Sequence, residues 1–220
     1  MPDAPNSLLA LTDEQIVFGM AELVKIDTDL ARIYAQLGAP PLWEREPGFP
    51  TLIHIILEQQ VSLASAQAAF NKLLAAAEPL TPQRFLDFDD AELKQIGFSR
   101  QKAGYSRGLA QLILEGRLHL DELMNLDDDA VRKELLRIKG IGHWSADIYL
   151  LMALLRPDVW PSGDLALATA VQRVKQLDSI PTQEQLEAMS LPWRPWRAVA
   201  ARMFWHYYLS TPIRVNHRTA

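Results

Sequence analysis

The segment Lys139-Gly140-Ile141-Gly142 constrains this chain more than any other. It lies between two stretches of helical pattern. Two glycines at i and i+2 between helices make a very tight hairpin, because glycine tolerates positive φ and lets another backbone approach closely. The second helix begins immediately afterwards. Its first amides have no acceptor within the helix and point outward, so backbone and dipole together form an anion site that needs little side-chain charge. An ordinary helical hairpin is the plainer reading of the two glycines alone.

The rest of the pattern is also helical. Thr12 and Gln15 have capping-box spacing and open a helix expected to run to about residue 36, with Pro40-Pro41 as a stop. Pro50 opens an apolar-periodic stretch over 51–77, ended by Pro79. Asp89 and Glu92 show N-cap-to-N3 spacing for a short helix ending near Gly97. Ser99 caps a helix to about 115, stopped by Gly116. Asp127-Asp128-Asp129 places negative charge at the start of a helix reaching about 138. Beyond the hairpin, helices are expected over 143–155, 165–177, 182–189 and 196–209. No useful length of chain alternates with strand period, and no solenoid-type repeat is present. The expectation is an all-α domain with short connections.

Composition removes several chemistries. The chain has no cysteine, which excludes disulfides, thiolate zinc sites, iron–sulfur clusters and a cysteine nucleophile. The histidines show no metal-ligand spacing, so no catalytic metal is expected. No apolar run approaches about 18 residues, so no membrane span is expected. The first residues lack the basic and apolar regions of a signal peptide, and a cytoplasmic location is expected. The net charge of −5 argues mildly against a polyanionic partner. Two zones are basic, however. One carries Lys94, Arg100, Lys102, Arg107 and Arg117; the other carries Arg194, Arg197, Arg202, Arg214 and Arg218. They could hold a polyanion if they shared a face, or could simply be solvated helix surfaces.

The string Leu135-Leu136-Arg137-Ile138-Lys139-Gly140-Ile141-Gly142-His143-Trp144-Ser145-Ala146-Asp147 closely resembles the helix-hairpin-helix of base-excision DNA glycosylases of the helix-hairpin-helix/Gly-Pro-Asp superfamily, in particular the bacterial type II 3-methyladenine glycosylases. Four more segments agree, in the family's order. Ile55-Ile56-Leu57-Glu58-Gln59-Gln60-Val61-Ser62 looks like its minor-groove turn, and Gly97-Phe98-Ser99-Arg100-Gln101-Lys102-Ala103 like its next recurring segment. Arg156-Pro157-Asp158-Val159-Trp160-Pro161-Ser162-Gly163-Asp164-Leu165 looks like the loop that delivers the catalytic aspartate, and Pro195-Trp196-Arg197-Ala198 like the start of the last helix.

The resemblance implies one helix-hairpin-helix glycosylase domain over 1–220, made of two helical subdomains with a DNA-binding cleft between them. One subdomain would be 46–160 with the hairpin at 127–155; the other would be 1–45 plus 161–220. The implied activity is hydrolysis of the N-glycosidic bond of alkylated purines after the base is flipped. The implied partner is double-stranded DNA carrying alkylated bases, met by a monomer at the bacterial nucleoid. Asp164 falls at the catalytic carboxylate; read locally, an aspartate before an apolar helix is usually an N-cap, and the two roles are compatible. An ionised carboxylate is what an oxocarbenium-like transition state needs at the sugar C1′.

Trp144 and Trp205 match the two tryptophans of the base pocket, where cationic N-alkylated purines stack well on indole. Ile148, one turn after Trp144, faces the same way and stands where the family often has tyrosine. Most of the cluster Trp193, Trp196, Phe204, Tyr207 and Tyr208 is expected in the core. Gln60 matches the residue pushed into the duplex in place of the base. Glu58 beside it is unwelcome near phosphates and is expected to point inward. Gly140, Gly142, His143 and Ser145 would meet DNA. The carbonyls of Leu136, Ile138 and Ile141 match those that hold a structural Na+ or K+; no cofactor is implied for catalysis. A lyase would need a lysine at the Trp144 position, and none is there. A non-catalytic DNA-binding module and a helical scaffold are the alternatives; the first leaves Asp164 without a purpose, the second leaves the Gly140/Gly142 hairpin without one.

Overall fold

A computed structural model describes residues 10–211 of the chain. Twelve α-helices are found there, and no strand occurs among the described residues. Arg214 and Arg218, and the first residues considered above for a signal peptide, lie outside the described residues. The contacts divide the chain into two compact units.

One unit comprises Glu44–Arg156. It contains α3 (Phe49–Glu58), α4 (Leu63–Ala76), α5 (Pro82–Leu86), α6 (Asp90–Ile96), α7 (Arg100–Leu114), α8 (Asp128–Leu136) and α9 (His143–Met152). Helix α3 packs against α4, α7 and α9. It is buried all round, with Leu52, Ile53, Ile55 and Ile56 sealed from solvent, as a helix apolar on every face must be. The run expected over 51–77 is therefore two helices rather than one. Gln60 leaves the helical region with φ +58, and the Ser62 hydroxyl accepts the Ser65 amide at 3.2 Å to start α4 afresh. Helix α5, capped by Thr81 with Pro82 in its first turn, was not foreseen.

The other unit comprises Leu11–Trp43 and the chain from Pro157 onward. It holds α1 (Asp13–Ile26), α2 (Thr28–Leu37), α10 (Leu165–Val174), α11 (Gln183–Ser190) and α12 (Arg197–Ser210). Helix α12 is its centre, packed on α10, α2 and α1 and buried from Ala198 through Trp205. The single helix expected to residue 36 is broken at Asp27. Its carboxylate accepts the Asp29 and Leu30 amides and so begins α2, while Lys175 (2.7 Å) and the Trp193 indole (2.9 Å) bind its other oxygen. An aspartate with that many donors outweighs the continuation of one helical turn.

Candidate functional site

The hairpin begins where α8 ends. The Ile141 amide closes a turn onto the Ile138 carbonyl at 3.0 Å, and both isoleucines are buried. Gly140 sits at φ +96, and a Cβ there would strike the Tyr105 ring, 2.8 Å from that residue's own Cβ. Gly142 differs. Its φ of −103 is open to any residue, and a Cβ would meet nothing within 4 Å. The two glycines therefore have separate reasons to be glycine: Gly140 for the turn, Gly142 for the open space in front of it. Gly142 is also the N-cap of α9 and supplies no side-chain cap; the first amide to bond back is that of Ala146. The amides of His143 and Ser145 precede it at the positive end of the helix, and the His143 side chain is exposed.

The Ser145 side chain, expected to meet DNA, is turned into the fold. It is 2% exposed, and its hydroxyl accepts the Gln59 side-chain amide at 3.0 Å. The same Gln59 nitrogen donates to the Gly140 carbonyl at 2.8 Å. Arg132 of α8 and Asp147 of α9 bind at 2.7 Å and fix the two helices across the hairpin. Burial works against the Arg132 charge, but the Asp147 carboxylate and its acidic neighbours hold its pKa above the ordinary value.

The turn between α3 and α4 places Gln60 in solvent in a left-handed conformation, which costs energy for a residue with a Cβ. Lys102 donates to the Leu57 carbonyl at 2.7 Å just before the turn, and burial lowers its pKa. Glu58 points inward as expected: both its oxygens take Arg45, at 2.9 and 2.7 Å. His54 lies 3.7 Å from Glu58 and stacks on Phe70 with ring centres 4.2 Å apart; burial pushes its pKa down.

In the other unit, the loop 157–163 is tied to α12. Asp158 grips Arg197 through Nε (2.8 Å) and Nη2 (2.9 Å), and the Ala198 amide donates to the Pro157 carbonyl at 3.0 Å. Trp160 and Trp193 pack with centres 5.3 Å apart beneath it. The loop ends at Asp164, the N-cap of α10 and half-buried. Its Oδ1 accepts the Leu167 amide at 2.6 Å and the Trp205 indole N–H at 3.2 Å. Trp205 is 7% exposed, so what its indole visibly does is hold this carboxylate. Ile148, expected to line the base pocket, is 2% exposed and packs in the core, because its place on α9 turns inward. Trp144 is half-exposed. Trp193, Trp196 and Phe204 are core, as expected; Tyr207 and Tyr208 are half-buried.

Part of the basic zones is used inside the fold. Arg197 is bound by Asp158, and the wholly buried Arg202 donates to the carbonyls of Leu42 (2.9 Å) and Ala198 (3.2 Å), with burial pushing its pKa down to about 9. Arg107 pairs with Asp90 and Arg117 with Glu115. Lys94, Arg100 and Arg194 are exposed. Among the described residues no cluster of histidine and carboxylate side chains could hold a metal ion, and no helix is long and apolar enough to cross a membrane.

The chain is similar to known proteins over most of its length. Residues 53–195 match the family described as HhH-GPD superfamily base excision DNA repair protein. YfjP of Bacillus subtilis is 29% identical over 186 residues, covering 81% of this chain; the chain spans 65% of that relative's length. The DNA-3-methyladenine glycosylase of Bacillus subtilis is 26% identical over 217 residues, 87% of this chain and 72% of its own. The structure of the Schizosaccharomyces pombe 3-methyladenine DNA glycosylase Mag1 in complex with abasic DNA superposes with a TM-score of 0.80 at 26% identity, covering 85% of this chain and 94% of that one.

Proposed function

Because the chain belongs to the HhH-GPD superfamily of base excision DNA repair proteins, we propose that it is a DNA glycosylase that hydrolyses the N-glycosidic bond of alkylated purines such as 3-methyladenine and 7-methylguanine. The observation that carries the reading is Asp164, whose carboxylate has both a backbone amide and the Trp205 indole on one oxygen. A helix cap needs only the first of these donors. The second fixes the direction of the negative charge, which is what stabilising a developing sugar cation requires. The likeness to the Bacillus subtilis DNA-3-methyladenine glycosylase and to the 3-methyladenine DNA glycosylase Mag1 supports the same substrate class.

In this mechanism the amides of His143 and Ser145 hold a phosphate in the open space before Gly142. Gln60 enters the stack as the damaged nucleotide leaves it, and its amide offers hydrogen bonds to the orphaned base. Trp144 gives the extruded base a stacking face, which favours the positive charge of N-alkylated purines. That charge already primes the base to leave, so no strong general acid is needed. As the bond lengthens, the cation at C1′ is stabilised by Asp164, and water completes the hydrolysis. Trp144 stands where a lyase needs an amine, so the product is an intact abasic strand. A monovalent cation at the carbonyls of Leu136, Ile138 and Ile141 fits this scheme. The Ile138 carbonyl takes the Ile141 amide and keeps a second lone pair for an ion. The protein would act as a monomer on the DNA of the cytoplasm.

The test is to incubate the protein with methylated duplex DNA and identify released bases by mass spectrometry. Release of 3-methyladenine and 7-methylguanine well above the spontaneous rate is expected. No release by protein that binds the duplex would leave only the non-catalytic alternative.

A further inference from the structure

The function proposed above gives Gln60 the place of the missing base, while its neighbour Gln59 points the other way. The Gln59 side-chain nitrogen donates to the Gly140 carbonyl and to the Ser145 hydroxyl. Both amide hydrogens are thus used on two sides of the hairpin, one before the Gly142 cap and one in the first turn of α9. Neither partner is near in sequence: they lie 81 and 86 residues away.

Neither end of this link is loose. On the Gln60 side, Lys102 holds the Leu57 carbonyl, Ser62 caps α4, and Gln60 itself is left-handed. On the hairpin side, the Tyr105 ring lies directly against Gly140, and Arg132 binds Asp147. A displacement of either segment therefore passes to the other through the Gln59 amide instead of dissipating in slack chain.

We infer that Gln59 is a positioning residue that couples the Gln60 turn to the phosphate-facing hairpin, so that filling the gap in the stack and gripping the strand reinforce one another. The inference rests on the DNA-glycosylase reading. With the link intact, the two contacts share one preorganised geometry. Without it, each orders its own segment on binding, and the mutual gain disappears.

A double-mutant cycle on the full chain tests this. The probe is a duplex with a tetrahydrofuran abasic analogue, and the readout is its dissociation constant by fluorescence anisotropy. Gln59→Met keeps the length of the side chain and has no donor. Gln60→Ala and Gln59→Met should each weaken binding by about 10-fold, as expected for one lost preorganised contact. In the Gln59→Met background, the Gln60→Ala penalty should shrink to under about twofold. A merely structural Gln59 would lower the urea midpoint and leave the Gln60→Ala penalty unchanged, which overturns the inference. Ser145→Ala removes one of the two contacts from the hairpin side; it should give an intermediate Gln60→Ala penalty, and it carries the cycle if Gln59→Met does not fold. An undiminished penalty in that background also overturns the coupling. If the wild-type protein shows no preference for the abasic duplex over the undamaged one, the DNA-glycosylase reading itself falls.

Discussion

Trp205 gives its indole N–H to the same Asp164 oxygen that takes the Leu167 amide. One carboxylate thus begins a helix and is aimed by a buried aromatic ring on another.

Replacing Asp164 with asparagine separates these roles. The amide keeps an oxygen for the Leu167 amide, so folding stability should change by about 1 kcal/mol or less. The charge is lost, and excision of 3-methyladenine should fall by on the order of 10²-fold or more. Affinity for an abasic-analogue duplex should be largely retained, because the hairpin amides do not depend on that charge. Wild-type excision rates from a folded Asp164→Asn protein would reduce Asp164 to a helix cap.

The two hairpin glycines should respond differently to the same methyl group. Gly140→Ala forces a Cβ onto the Tyr105 ring at a positive φ and should cost about 2 kcal/mol or more in a denaturant titration. Gly142→Ala meets open space and should cost at most about 1 kcal/mol, the preference of an N-cap for glycine. It should nevertheless weaken abasic-duplex binding several-fold, by standing between phosphate and amides. Equal stability losses for the two variants would contradict the distinction.

Incubation with lesion-containing DNA and borohydride should trap no covalent protein–DNA adduct. The released strand should remain uncut until treated with alkali. A trapped adduct on a gel would show an amine nucleophile that the assignment of Trp144 leaves no room for.

Stability should fall as pH drops below about 6.5. His54 ordinarily titrates near 6.5, and in the folded protein burial lowers that value, with Arg45 acting in the same direction and Glu58 opposing. Between the two values the unfolded chain holds more protons, so the contribution of His54 is complete above about 6.5 and is lost as pH falls through the lower, folded value. His54→Phe, which keeps a ring against Phe70, should flatten the urea midpoint over this window; an unchanged slope would reject the assignment.

Much of the fold was legible because capping is local. Thr12, Asp89, Ser99 and Asp127 all cap the helices their spacing predicts. Asp27 and Ser62 also cap helices, yet each sits inside a pattern that reads as continuous, so one helix was expected where two exist. The site divides along the same line. The inward turn of Glu58 follows from a carboxylate's incompatibility with phosphate. The partners of Gln59, and those of Arg202 in Leu42 some 160 residues away, are set by tertiary packing that no local spacing reveals. For the same reason Ser145, at the start of a helix, looked outward in sequence and turns inward in space.

The burial of Arg202 and the binding of Arg197 to Asp158 bear on how such a protein would travel along a genome. Arginines fixed within the fold displace no counterions from a duplex, and amides at a helix start displace fewer than mobile cations do. The salt dependence of duplex binding would therefore be shallower than the arginine content suggests, and would fall to exposed cations such as Lys94, Arg100 and Arg194. Its non-specific hold on undamaged sequence would accordingly be weaker than a count of its arginines implies.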